Sequence, residues 1–335
     1  MEQPFPKPQD EYPVLYLKDT DGPLPANAVN NKTRYAYFKT IAQGGKCIIK
    51  SCKDFHLGRA VAYKTLRPEF ADDAYEQQRF LREARVTANL QHPNTIPVYE
   101  LSRDNAGHYY FTMKLVQGST LREVLEGEAT IEEWNDAPLH RVIDVLIQVC
   151  HALDYAHQHG VVHRDIKRAN ILIGPFGEVL VLDWGLAKVW GMAGNEDSLL
   201  EADSTNKPSL TGQGKLQGTV FYMSPEQVQE SPDLDRRSDI YSVGAVLYEV
   251  LTGVEMIERG PLHAMLSAVI DGNVLPPSER APDLDLEIPH ELEAICMRCI
   301  APNPDDRYGS ANDLLIALQA WSDGDEVSYG RRQGD

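Results

Sequence analysis

The stretch His163-Arg164-Asp165-Ile166-Lys167-Arg168-Ala169-Asn170, joined through the strand-like Gly177-Glu178-Val179-Leu180-Val181-Leu182 to Asp183-Trp184-Gly185, decides how this sequence is read. It sets a carboxylate, a lysine, a carboxamide and a second carboxylate on two loops that flank a short hairpin. Phosphoryl transfer needs that set of groups. It requires an acceptor to orient a hydroxyl nucleophile, a cation near the moving phosphoryl group, and oxygen ligands for a divalent ion. Each residue alone reads equally well as an ion pair or a turn cap, and an isolated His-Arg-Asp arises by chance. The four at these offsets are a much more specific signal.

On these residues the chain resembles the eukaryotic-like protein kinase superfamily, and in particular its bacterial serine/threonine members, over about residues 35–322. The resemblance implies an α+β, bilobal fold: a small antiparallel β-sheet lobe with one main helix, and a larger, mostly helical lobe. It implies ATP and Mg²⁺ as cofactors, with Mn²⁺ as a substitute metal. Asp165 is then the catalytic base or the residue that orients the hydroxyl, Lys167 contacts the γ-phosphate, and Asn170 and Asp183 hold the metal ions. Upstream, Val61-Ala62-Tyr63-Lys64 is similar to the kinase strand whose lysine grips the α- and β-phosphates, and Glu83 in Phe80-Leu81-Arg82-Glu83 to its helix partner. An opposing carboxylate restricts a lysine's rotamers while leaving its charge for phosphate.

The family's glycine-rich loop stands here as Ala42-Gln43-Gly44-Gly45-Lys46-Cys47-Ile48-Ile49, with its first and third glycines replaced. Glycine at such positions lets backbone N–H groups approach phosphate unobstructed, so Ala42 and Cys47 are expected to loosen or reshape the cradle. Lys46 reads either as a compensating charge or as a solvated surface lysine, and Cys47 either as an oxidisable thiol or as simple packing. The resemblance also implies nucleotide contacts for Ile41, Gly44 and Gly45. It has Ile49, Ala62 and Leu172 sandwich the adenine, Met113 act as gatekeeper, and the backbone from Lys114 to Val116 supply hydrogen bonds.

Downstream, Gly218-Thr219-Val220-Phe221-Tyr222-Met223-Ser224-Pro225-Glu226 resembles the substrate-docking loop, which implies an ion pair from Glu226 to Arg307. Lys167 and Thr219 resemble the serine/threonine subclass, so protein substrates with Ser or Thr acceptors are expected. The polar segment between Asp183 and Glu226 offers Ser198, Ser204, Thr205, Ser209 and Thr211 as acceptors for autophosphorylation, through a homodimer in trans. A phosphate there would pair with Arg164. Asp239 reads either as a helix cap or as the residue that orients the catalytic loop's backbone. Two rival readings are a pseudokinase scaffold that binds nucleotide weakly through its degenerate loop, and a small-molecule phosphotransferase.

Around these motifs the chain divides by composition. Residues 1–33 are rich in Pro, Asp and Asn and read as an irregular extension, with Tyr12, Val14, Leu15 and Leu17 apolar enough to dock. Residues 34–116 hold turn-bounded strands over Tyr35–Ile41, Ile48–Asp54, Arg59–Leu66, Thr95–Arg103 and Tyr109–Leu115, with a helix over Asp73–Leu90. Residues 117–322 are dominated by helical periodicity, notably Leu139–His159, stopped by Gly160, and Ile240–Leu251, apolar nearly all round as a core helix should be. A flexible polar tail is expected from 323 to 335.

The whole chain has 335 residues, 42% of them hydrophobic, which suffices for a large core. Its 50 acidic and 32 basic residues leave a net charge of −18, which repels nucleic-acid phosphates and anionic lipids, so neither is an expected partner. No membrane span and no signal peptide is legible, and the five irregularly spaced cysteines do not form a secreted disulfide framework. A cytoplasmic chain is expected. Cys296 and Cys299 lie in an amphipathic helical pattern and read as packing residues rather than as zinc or redox ligands.

Overall fold

The computed structural model describes residues 34–129, 138–185, 188–189, 220–280 and 288–332. Its contacts divide the chain into two compact units, one holding the described residues to Gln77 with Tyr99–Leu115, the other Gln78–Val98 with the residues from Val116 on.

Aromatic and β-branched residues punctuated by glycine turns make the first unit a sheet. Strands β1 (Tyr35–Gln43), β2 (Cys47–Asp54) and β3 (Arg59–Leu66) form consecutive antiparallel hairpins, and Gly58, with φ +65°, makes the second turn. Helix α1 (Ala74–Asn89) follows, then β4 (Val98–Arg103) and β5 (Tyr109–Lys114), completing a five-stranded sheet in the order β1-β2-β3-β5-β4. The sheet's small core is aromatic: Tyr63 stacks on Tyr110 at 4.4 Å and Tyr35 meets both rings edge-on. Arg34 ties the strand ends, donating to Asp54 at 2.9 and 3.1 Å and to Glu100 at 3.0 Å.

β4 starts later than the alternating pattern suggests, because Pro97 has no N–H to give a ladder. Thr95, expected in that strand, instead bridges Val181 in the second unit, where the Val181 N–H donates to the Asn94 carbonyl at 2.9 Å. The residues of α1 from Gln78 on group with that second unit, whose core takes in Val86 and Leu90.

The second unit continues with β6 (Ser119–Thr120), α2 (Leu121–Leu125), α3 (Leu139–Gln158), β7 (Val161–Val162), β8 (Ile171–Ile173), β9 (Val179–Val181) and β10 (Lys188–Val189). Beyond these come α4 (Pro225–Val228), α5 (Arg237–Thr252), α6 (Leu262–Asp271), α7 (Pro277–Arg280), α8 (His290–Cys299) and α9 (Ala311–Arg332). Helix α5 is buried at almost every position, as its apolar sequence requires. It packs so closely on α8 that a Cβ on Gly244 would lie 2.4 Å from Cys299 Cβ. Cys296 and Cys299 are both fully buried there, with burial pushing their thiols well up, and no disulfide joins any of the five cysteines. Where the sequence reading places a polar tail from 323, α9 runs on to Arg332, uninterrupted by proline. Among the described residues no helix is long and apolar enough to cross a membrane.

Candidate active site

The β8–β9 hairpin positions the acidic residues of the second unit. Its buried Ile and Val pairs set the register Ile171 to Val181, Leu172 to Leu180 and Ile173 to Val179. Asn170 and Leu182 therefore face each other just beyond the ladder, and the Leu182 N–H donates to the Asn170 carbonyl at 2.8 Å. Asp183 follows immediately, with its side chain exposed. Two sequence motifs thirteen positions apart are thus brought side by side by one register.

On the other side of the hairpin, Asp165, Lys167 and Asn170 converge. Lys167 Nζ donates to both Asp165 carboxylate oxygens, at 2.9 and 2.7 Å. The Asn170 amide nitrogen donates to the Asp165 carbonyl at 2.8 Å and to its carboxylate at 3.1 Å. That commits the nitrogen to the loop and leaves the amide oxygen as the group's donor to a cation. With the Asp183 carboxylate this is an all-oxygen donor set, the chemistry that a magnesium ion takes.

The loop is held in a costly shape. Arg164 and Asp183 adopt φ of +68° and +64°, a left-handed conformation that costs a non-glycine residue about 1–2 kcal/mol. Asp239, fully buried on α5, offsets the first: one carboxylate oxygen accepts the Arg164 N–H at 2.8 Å. The other accepts the His163 N–H and His157 Nε2–H, each at 2.8 Å. Burial alone would raise the Asp239 carboxyl, but the bond from His157 and the neighbouring His163 outweigh it and hold the group below its ordinary value. The helix-cap reading of Asp239 is set aside, since it lies three residues inside α5 after the Arg236 cap. His163 Nδ1 accepts the Asp165 N–H at 3.1 Å, so its Nε2 carries the proton donated to the Leu182 carbonyl at 3.0 Å. A single imidazole, packed edge-on against buried Trp184 at 4.5 Å, thereby links the two loops.

Helix α1 carries Glu76, Phe80, Glu83 and Thr87 at helical spacing, and all four are buried. The Glu83 carboxylate reaches the Asp-Trp-Gly loop: a Cβ on Gly185 would lie 3.4 Å from Glu83 Oε2 and 3.0 Å from Asp183 Oδ1. Glycine keeps that space clear.

In the first unit, the residues expected around a nucleotide share one sheet. Ile49 pairs with Lys64 between β2 and β3, and Lys64 pairs with Phe111, and Ala62 with Met113, between β3 and β5. Cross-strand partners project to the same side, so Ile49, Ala62, Lys64 and Met113 occupy one face. Lys64 is buried, with Nζ 5.8 Å from the Phe111 ring centroid. Gly44 and Gly45 form the β1–β2 turn, closed by the Gly44 N–H on the Cys47 carbonyl at 2.9 Å. Ile41 stands in a bulge of β1 and is largely exposed. Lys114 ends β5, whereas Val116 and Leu172 belong to the second unit, Leu172 opposite Thr120 and Leu180.

The closing part of the docking-loop motif is firmly held. Glu226 on α4 receives a buried bidentate pair from Arg307 at 2.7 and 2.9 Å, and the guanidinium also donates to the carbonyls of Ala301, Arg237 and Pro302. Gly218, Thr219, Ser198, Ser204, Thr205, Ser209 and Thr211, like Tyr12, Val14, Leu15 and Leu17, lie outside the described residues.

Sequence reasoning missed several supporting side chains. Gln227 Nε2 donates to the Arg164 carbonyl at 2.8 Å, and His157 completes the Asp239 cluster. Arg168, inside the catalytic loop, lies 3.5 Å from Glu249 and 3.3 Å from Glu126, and Tyr222 donates to the same Glu249 oxygen at 2.6 Å. For Glu249 the available signal was an acidic residue late in the largely apolar α5; His157 stands among several polar residues of α3 and carries no such mark.

Comparison with known proteins identifies the family and the fold. Residues 35–317 match the family model described as protein kinase domain. A probable serine/threonine-protein kinase of Streptomyces coelicolor is 35% identical over 306 residues, 90% of this chain and 42% of that protein. The serine/threonine-protein kinase PknB of Mycolicibacterium smegmatis is 36% identical, over 85% of this chain and 42% of its own. For PknD of Chlamydia trachomatis the identity is 34%, over 87% of this chain and 32% of that one. This chain thus spans well under half the length of these relatives. In fold it is similar to the Mycobacterium tuberculosis PknI kinase domain, with a TM-score of 0.60, 23% identity, and coverage of 87% of this chain and 97% of that one. On the matched family and the shared α+β fold, the chain belongs to the protein kinase domain family, in its bacterial serine/threonine branch.

Proposed function

We propose that this chain transfers the γ-phosphoryl group of Mg-ATP to serine and threonine hydroxyls of proteins, including its own segment between Asp183 and Glu226. The observation that carries the reading is the Asp165, Lys167 and Asn170 cluster, joined to Asp183 through one hairpin register. Bound Mg-ATP supplies the electrophilic phosphorus and the metal charge that neutralises the phosphates.

Asp165 orients the acceptor hydroxyl and takes its proton as the new O–P bond forms and the bond to ADP breaks. Lys167, now shared with the Asp165 carboxylate, carries the positive charge toward the γ-phosphate. Asn170 and Asp183 would hold the metal through oxygen. Lys64 would grip the α- and β-phosphates, and Ile49, Ala62 and Met113, on the same face of the sheet, would supply apolar contacts to adenine. Glu226, Gln227 and Arg307 keep the substrate-docking loop in place beside the catalytic loop.

Incubating the purified chain with labelled ATP and Mg²⁺ and locating phosphate by mass spectrometry tests this. Label on Ser or Thr of the protein, abolished in Asp165→Asn and Asp183→Ala, is the expected result. The scaffold alternative draws on Ala42 and Cys47 in the glycine-rich loop, and nucleotide binding without any label would favour it. Label on an added small alcohol but none on protein would favour a small-molecule phosphotransferase.

A further inference from the structure

The β1–β2 turn is tied down by more than its own hairpin. The Arg67 N–H donates to the Lys46 carbonyl at 2.8 Å, and Arg67 Nη1 reaches the Gly45 carbonyl at 3.4 Å. At the turn's tip the Lys46 ammonium forms an ion pair with Glu76 in the first turn of α1, with Nζ 6.0 Å from the Phe70 ring centroid. Glu76 is a rigid anchor. It is buried, and its backbone N–H is capped by Asp73 at 3.0 Å, as is that of Tyr75 at 2.9 Å. Neither sequence reading of Lys46 fits this geometry, because the charge is spent within the protein rather than on solvent or aimed at phosphate.

The two missing glycines fit the same picture. Ala42 pairs with Ile49 just after the bulge of β1, and Cys47 pairs with Leu66 at the end of the β2–β3 ladder, so both are strand positions, where a Cβ is accommodated. Gly44 and Gly45 are the glycines that remain, and both lie in the turn. We propose that Lys46 is a positioning residue: by fastening the turn tip to Glu76 it sets where the Gly45 N–H stands to receive nucleotide phosphate, the Gly44 N–H being held by the Cys47 carbonyl at 2.9 Å. A turn already anchored loses less backbone freedom when a ligand immobilises it, which strengthens binding without a new contact. This inference rests on the nucleotide reading above.

The test measures the Kd for Mg-ATP, and kcat and KM for phosphorylation of a fixed peptide, in Lys46→Met, Lys46→Arg, Glu76→Gln and the exchange Lys46→Glu with Glu76→Lys. Partly exposed ion pairs contribute modestly, so Lys46→Met and Glu76→Gln should each weaken ATP about five-fold with kcat nearly unchanged. Lys46→Arg and the exchange should return to within about two-fold of the original. If Glu76→Gln tightens ATP while Lys46→Met weakens it, Lys46 acts on phosphate directly and the proposal fails. It fails equally if the exchange gives no rescue or if both single changes are silent. Absence of ATP binding in the unaltered chain would instead remove the nucleotide reading itself.

Discussion

Asp239→Asn is the sharpest perturbation of the catalytic loop that substitutes none of the groups proposed to react. The native carboxylate accepts from Arg164 N–H on one oxygen and from His163 N–H and His157 on the other, all at 2.8 Å and fully buried. A carboxamide has one accepting oxygen, so in either orientation its NH₂ group opposes at least one backbone N–H. A hydrogen bond to a charged group is worth about 1.5–3 kcal/mol, and a buried orphaned donor costs about 1–3 kcal/mol, so a loss of about 2–4 kcal/mol is expected. Asp239→Ala, which strands all three donors, should lose about 3–5 kcal/mol. Arg164, no longer held at positive φ, should relax toward an ordinary conformation and carry Asp165 with it. Misplacement by about 1 Å costs about 100-fold in rate, so kcat should fall by that order while ATP affinity changes little.

Guanidinium unfolding at pH 7.5, paired with phosphate incorporation, measures both effects. The pH dependence supplies a third readout. The folded Asp239 carboxyl sits below its ordinary value of 3.8, so its stabilisation is complete above that pH and is lost as pH falls through the depressed value. The asparagine variant should therefore show a flatter acid limb. An Asn variant within about 1 kcal/mol of the native chain and with unaltered kcat would refute the reasoning.

Arg307→Lys keeps the charge but not the fork that serves Glu226 and three carbonyls, so the unfolding midpoint should drop by the equivalent of about 2–4 kcal/mol. Gly244→Ala would gain about 1 kcal/mol of helix propensity in α5, yet its Cβ would meet Cys299 Cβ at 2.4 Å and Ile300 Cγ2 at 2.8 Å. Overpacking wins, and calorimetry should show a net loss of about 1–2 kcal/mol. Burial raises the Glu249 carboxyl above its ordinary 4.5 despite Tyr222 and Arg168, and its Oε1 has no hydrogen-bond partner. For such a group the protonated form suits the fold: that stability is present below pH 4.5 and is lost as pH rises through the folded value. Glu249→Gln should thus be at least as stable as the native chain at pH 8, by denaturant titration.

The elements were legible in the sequence where local chemistry dictates them. Strand pairs bounded by glycine turns, the long apolar periodicity ending at Gly160, and the all-round apolar run that became α5 each report their own backbone preference. The convergence of Asp165, Lys167 and Asn170, the groups proposed to react, was legible for a related reason: they lie within six residues, so one loop conformation brings them together. Proline chemistry at 97 was visible too, but its consequence, Thr95 joining Val181 rather than β4, depends on a partner far along the chain.

What only the tertiary structure decided is the support of those groups. Asp239 could cap a helix or hold a loop, and which of these it does follows from where α5 passes the catalytic loop. Lys46 could face solvent or phosphate until α1 presented Glu76 to it. Hydrogen bonds and ion pairs act over a few ångströms, and residues 30 or 76 positions apart come within that range only through packing. Sequence by itself therefore determined the elements and which side chains meet in the catalytic-loop segment, because those depend on near neighbours; the buried polar partners that hold that segment in shape were decided by the fold.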